Sequence, residues 1–220
     1  MARARLAAVV VAWALAAPAR ADFQVWNEVG ASTQMAPGLR LGFDQEVRLD
    51  HGASEVDHVR PGAWVAWRAA GWLSLRLGYR YDIEPRYTKG ADYADGWHEA
   101  YAAATFRHEV HRLRLSLRLR LEGERGRPWD EDGALVRSYA ARQRLELEWP
   151  VGSRIAIVGS GELFLKLADP DGPRDQWRAG LGVAFDQGAH ELSVRYLLEH
   201  PLTPGDEDAH VLALSYGFSR

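Results

Sequence analysis

Residues 111–124 read HRLRLSLRLRLEGE, an unbroken alternation of leucine with arginine or serine that closes on Glu122-Gly-Glu124. An α-helix advances about 100° per residue and would scatter both residue types around its circumference. A strand puts residues i and i+2 on one face. Leu113, Leu115, Leu117, Leu119 and Leu121 then make an apolar side, and Arg112, Arg114, Arg118 and Arg120 a cationic one. What covers each side decides the fold.

The same two-residue period runs outward in both directions. GLRLGFDQEVRL (38–49) sets Leu39, Leu41, Phe43, Val47 and Leu49 against Arg40, Asp44, Glu46 and Arg48. LSLRLGYRYDI (73–83) sets leucines and tyrosines against Ser74, Arg76, Arg80 and Asp82, and SYAARQRLELEW (138–149) opposes Leu145 and Leu147 to Arg142, Arg144, Glu146 and Glu148. RIAIVGSGELFLKL, WRAGLGVAFD, HELSVRYLLE and HVLALSYGF alternate likewise, and VDHVRPGAWVAWR and HEAYAAATFR fit more weakly. Short connections (Ala36-Pro-Gly38, Ala69-Ala-Gly71, around His108-Glu109, Pro150–Ser153, Gln187–Ala189) alternate with longer ones rich in Asp, Gly and Pro, among them DHGASEVD, EPRYTKGADYADG and GERGRPWDEDGA. Short turns at one rim and long loops at the other are the habit of an up-and-down barrel of the outer-membrane type. No linker, internal repeat or shift in composition divides the chain, which reads as a single domain after its leader.

The leader is MARARLAAVVVAWALAAPARA. Arg3 and Arg5 precede an apolar run from Leu6 to Ala17, and Ala19-Arg20-Ala21 offers a small-x-small cleavage site, so residues 1–21 are expected to be a cleaved secretory signal and 22–220 the barrel. The apolar run is too short to span a bilayer of about 30 Å as an anchor. The absence of cysteine excludes both a lipoprotein anchor and a disulfide framework. Mean hydropathy is −0.32, a value that alternating strands reach by averaging a lipid-facing and a water-facing side.

A soluble barrel such as a lipocalin alternates too, with its apolar side inward. Three features point the other way. The apolar faces of the clear strands carry no charge, Gln45 and Gln143 being the strongly polar intruders; a cation at the midplane of the lipid side costs about 2–4 kcal/mol. Trp67, Phe106, Trp149, Phe185 and Phe218 all share apolar-face parity and all precede a short turn or the C-terminus, the arrangement of an inner aromatic girdle, with Tyr81, Tyr139 and Tyr196 toward the long loops. Most strands are also long enough to cross at a tilt. The leucines are therefore expected to face acyl chains, and Arg76, Arg80, Arg112, Arg114, Arg118, Arg120, Arg142, Arg144, Glu146 and Glu148 to face the lumen.

The opening strand FQVWNEVG (23–30), the strand GLRLGFDQEVRL (38–49), the hairpin AWVAWRAAGWLSLRLGYRYD (63–82) and the closing HVLALSYGF (210–218) together resemble the domain-of-unknown-function 2490 family. The resemblance covers essentially all of the chain after the leader and implies a bacterial outer-membrane β-barrel with no assigned activity and no catalytic residues to carry over. One departure is that Ser219-Arg220 follow Phe218, where bacterial barrels commonly finish on the aromatic residue. The fold class is thus all-β, an antiparallel up-and-down transmembrane barrel of about 10–12 strands. The pattern counts eleven; bacterial single-chain barrels have even numbers, so ten or twelve is expected.

Two lumen readings follow. Either the arginines pair with Glu122, Glu146, Glu148 and their neighbours and fill a narrow lumen, leaving a structural or surface-interaction role, or they line a narrow pore for small anions. An acidic outer rim would oppose anion capture and favours the filled lumen. An enzyme acting on lipid needs its nucleophile at the lipid face, but Ser74, Ser116, Ser160, Ser193 and Ser215 all have inward parity. His98 and His210 face outward without a serine beside them, and Gly159-Ser160-Gly161 sits within a strand rather than at a strand-to-helix turn. No catalytic residue, cofactor or metal centre is expected; His108-Glu-Val-His111 lacks the i, i+4 spacing of a helical zinc site. Expected partners are outer-membrane lipid and lipopolysaccharide, the barrel-insertion machinery during export through the periplasm, and divalent cations at the acidic loops Asp130-Glu-Asp132, Asp169-Pro-Asp171 and Asp206-Glu-Asp208. With a net charge of −3 and its arginines segregated to one strand face, the chain has no basic patch for nucleic acid.

Overall fold

The structure, a computed structural model, describes residues 22–88, 91–126, 137–168, 175–203 and 205–220; the signal segment expected over 1–21 lies outside the described residues. Eleven strands close into one barrel: β1 (Asp22–Ala36), β2 (Leu39–Asp50), β3 (Glu55–Ala70), β4 (Leu73–Thr88), β5 (Ala91–Val110), β6 (Leu113–Gly126), β7 (Arg137–Pro150), β8 (Ile155–Ala168), β9 (Gln176–Gln187), β10 (His190–Pro201) and β11 (Ala209–Ser219). Each pairs antiparallel with the next in sequence. The expectation of ten or twelve is corrected: FQVWNEVG forms a full strand, and among the described residues no segment folds back to make a twelfth. An odd number of alternating strands leaves the first and last running the same way. β1 and β11 accordingly close the barrel in parallel, in register from Asp22 opposite Ala209 to Ser32 opposite Ser219.

The seam also explains the residues after Phe218. The Arg220 amide donates to the Ser32 carbonyl and the Gln34 amide to the Arg220 carbonyl, both at 3.0 Å, while the Ser219 amide donates to Ala189 at 2.8 Å. The last two residues therefore extend the ladder that joins the ends of the sheet.

At one rim the turns are tight. Pro37-Gly38, Gly71-Trp72, His111-Arg112 and Gly188-Ala189 each link neighbouring strands through two residues, with positive φ at Gly38 (76°), His111 (57°) and Gly188 (70°). Two connections differ from their sequence reading. DHGASEVD is not a long loop: β2 reaches Asp50 and β3 begins at Glu55, around a turn where His51, Gly52 and Ala53 all have positive φ and the Ser54 hydroxyl donates to the His51 carbonyl at 2.8 Å. EPRYTKGADYADG is largely strand, because β4 and β5 stay paired as far as Thr88 opposite Ala91.

Burial is inverted relative to a water-soluble domain. Leu77 and Leu121 are each 61% exposed and Trp149 58%, whereas Arg120, Glu162, Glu99 and Asp82 are buried. A continuous exposed apolar wall is what hydrocarbon, rather than water, would cover. Val211 is the one fully buried large side chain among the described residues; it packs with Trp26 and Leu197, backed by Ala213. The inward face of β10 and β11 is therefore partly apolar.

Candidate lumenal site

A belt of interlocking side chains girds the lumen, drawn from β1 to β10. It is organised around Trp26 on β1, whose indole lies between the guanidiniums of Arg48 (3.9 Å) and Arg178 (4.5 Å). Arg178 also covers Phe164 at 4.7 Å, and Arg142 lies over the same ring at 4.2 Å. Desolvated cation–π contacts of this kind contribute about 2 kcal/mol each.

The charges follow from strand register. Pairing of β6 with β7 sets Arg120 opposite Arg142 and Arg118 opposite Arg144, like-charge placements that destabilise a sheet unless carboxylates intervene. They do. Glu162 of β8 accepts from Arg118 (3.1 Å), Arg142 (3.2 Å) and Arg178 (3.4 Å). Glu122 meets Arg142 at 3.0 Å and Arg120 at 2.6 Å, and Arg120 further pairs with Glu99. Arg178 continues the chain to Glu199. On the other side of Trp26, Glu46 holds Arg48 (2.6 Å) and Arg60 (3.4 Å), and Arg60 reaches Asp82 at 2.6 Å beside His58. Arg80 lies 3.8 Å from Asp44.

Small residues make room for this belt. Gly78 lies opposite Tyr101 across β4 and β5, where a Cβ would overlap the tyrosine ring; the other face of that ring carries Arg120 at 3.7 Å. Gly42 accommodates Trp64 in the same way, and Arg76 stacks on Trp64 at 4.0 Å. An aromatic ring laid over a cross-strand glycine supports the strand that the glycine weakens.

Toward the short-turn rim the lumen widens into a cavity of about 760 Å³. Arg76, Arg80, Arg114, Arg118, Arg120, Arg142, Arg144, Glu146 and Glu148 line it. Arg112 does not: it occupies the β5–β6 turn and is exposed. A two-residue turn preserves strand parity, so alternation alone carries the pattern past the end of the strand. Within the cavity Glu146 accepts from both Arg144 and Arg195 at 2.6 Å, and Glu148 from Arg114 at 2.9 Å. Alternation put Glu162 on the polar face of its strand, but sequence reading overlooked Glu99, Trp26, Tyr101 and Phe164 as belt members; inward parity of a bulky ring among charges was the available signal.

The serines lie as their parity indicates. Ser116, Ser160, Ser193 and Ser215 line the cavity, Ser193 and Ser215 share a hydrogen bond of 2.7 Å, and Ser74 accepts from Arg107 at 2.7 Å. The outward histidines bond to tyrosine hydroxyls, His98 to Tyr79 at 2.6 Å and His210 to Tyr196. Trp67, Trp149, Phe185 and Phe218 are exposed on the outer wall near the short-turn rim, and Phe106 stacks on Trp72 at 6.1 Å. Tyr81 packs on His98 at 5.0 Å, and Tyr139 is exposed.

Of the acidic loops, Asp130–Asp132 and Asp169–Asp171 lie outside the described residues; Asp206, Glu207 and Asp208 are exposed, Asp208 meeting His200 at 2.6 Å. Glu99, Glu122 and Glu124 bring carboxylate oxygens within 4.8 Å of one another, and Arg120 supplies the countercharge to the first two.

Residues 23–206 match the family described as a protein of unknown function, DUF2490. No curated protein matches the chain. Among solved structures, the β domain of the Bordetella autotransporter BrkA is similar with a TM-score of 0.51 at 16% identity, over 85% of this chain and 84% of that one. The translocator domain of autotransporter NalP from Neisseria meningitidis gives 0.49 at 13% identity, over 90% and 88% of the respective chains. An anion-selective porin from Comamonas acidovorans gives 0.39 at 18% identity, over 84% of this chain and 54% of that one. The first of these shares the barrel fold.

Proposed function

This chain belongs to the DUF2490 family, whose membership supplies no activity, and from the barrel itself we propose an outer-membrane protein with a largely side-chain-filled lumen and a structural or surface-interaction role. The belt carries the reading: Arg48 and Arg178 both stack on Trp26, and Arg120, Glu162 and Arg178 are all buried. Residence in the outer membrane is supported by the exposed leucine wall and by the aromatic residues gathered near the short turns. A barrel of this kind shifts its gel mobility on boiling and resists extraction by salt.

A second reading, a narrow pore for small anions, draws on the arginines that line the cavity. Planar-bilayer recording separates the two. The filled lumen predicts little or no conductance from the purified protein; large, stable, anion-selective steps would establish the pore instead. The inward serines and the tyrosine-bonded histidines offer no serine–histidine pair at the lipid face, so lipid chemistry has no supporting geometry among the described residues.

A further inference from the structure

The cavity on the short-turn side of the belt has its own chemistry. Eleven arginines and eight carboxylates line it, an excess of cation within a confined space. The excess is local to β4, β5 and β6. Arg76 stacks on Trp64 and has no carboxylate partner among the described residues. Arg107 donates to Ser74 but meets no carboxylate either among the described residues, and the charges of Arg68 and Arg76 oppose its own. Arg118 pairs directly with Glu162, which also serves Arg142 and Arg178, and feels the charge of Glu28 at longer range. Register interleaves these arginines with hydroxyls: Ser74 lies opposite Thr105, Thr105 opposite Arg118, and Arg107 opposite Ser116.

Unneutralised guanidiniums with hydroxyl donors between them form a surface for oxyanions, because the planar guanidinium fork matches carboxylate and phosphate oxygens. A volume of about 760 Å³ falls within the range of small-molecule pockets. The mouth lies near exposed His108 and Glu109, by the β5–β6 turn. At the opposite end stand Trp26, Tyr101, Leu197 and the buried charges of the belt. The closed sheet bars lateral access by a lipid headgroup. The mouth also faces away from exposed Asp206, Glu207 and Asp208, whose charges would repel an anion.

We infer that the short-turn half of the lumen is a blind receptor cup for a small soluble polyanion bearing phosphate or carboxylate groups, with Arg76, Arg107 and Arg118 as its recognition wall. The cup rests on closure by the belt, and the two claims fail separately: conductance tests closure, whereas equilibrium binding tests the wall.

Inorganic pyrophosphate is the probe, titrated calorimetrically into the full barrel folded in detergent micelles. Saturable binding is expected, weakened at least tenfold in an Arg76→Gln/Arg107→Gln variant and unchanged in Arg125→Gln, which removes one charge at the other end of β6. Neither Arg76 nor Arg107 makes an ion pair with the carboxylates of the belt among the described residues, so the double variant should retain heat-modifiable mobility. Should the double variant fail to fold, Thr105→Glu provides the decision by placing a carboxylate within the wall, and it is expected to abolish binding. Absence of pyrophosphate binding to the unaltered barrel, or affinity indifferent to the wall substitutions, or an equal loss with Arg125→Gln, would overturn the assignment.

Discussion

Glu162 receives three guanidiniums, from β6, β7 and β9, and is itself buried. Neutralising it leaves those cations without their common counterion in a low-dielectric space, so Glu162→Gln is expected to destabilise the barrel by roughly 3–5 kcal/mol. A urea-unfolding midpoint close to that of the unaltered protein would remove Glu162 from its central place. The opposite sign is expected at the β5–β6 turn. His111 holds φ at 57°, a left-handed conformation that costs a side-chain-bearing residue about 1–2 kcal/mol. His111→Gly should therefore raise stability, by about 1 kcal/mol once the greater freedom of unfolded glycine is included. The same titration measures it, and a fall in stability would mean that the imidazole makes a contact of greater worth.

Among the strands, the parallel pair β1–β11 is the one join that no hairpin holds in place. Its ladder continues through Ser219 and Arg220, whose amides donate to Ala189 and Ser32 and whose last carbonyl accepts from Gln34. Removing those two residues forfeits two backbone hydrogen bonds of the seam and one to the β9–β10 turn, an expected loss of about 2–4 kcal/mol. Unfolding the truncated barrel checks this, and an unchanged midpoint would place the strength of closure elsewhere. Faces were readable from sequence at this scale and ends were not. Alternation assigned the leucines of β6 and their arginine neighbours to opposite sides of the wall, because a period of two has no second interpretation. It mislaid Arg112, since a two-residue turn leaves parity intact, and it took residues 50–57 for a long loop, since Asp, Gly and Ser favour tight turns as readily as long ones. The belt was half legible. Parity points Trp26, Glu99 and Glu162 inward, but which guanidinium meets which carboxylate depends on registers that are set only when eleven strands close.

Across the whole molecule, the apolar wall and the charged interior exchange the positions they hold in a soluble domain, and the belt stands at the inner end of the lumenal cavity. Conductance and pyrophosphate binding therefore report on different parts of one lumen. The odd strand count has a further consequence. Asp22 begins β1 beside Ala209, at the long-loop rim, whereas Arg220 ends at the rim of short turns. Epitopes grafted just ahead of Asp22 and just after Arg220 should consequently lie in different compartments, so a protease applied to intact cells would shave one and spare the other. Removal of both, or of neither, would mean an even number of crossings, and such a polypeptide could not join its two sides in the way its sheet is joined here.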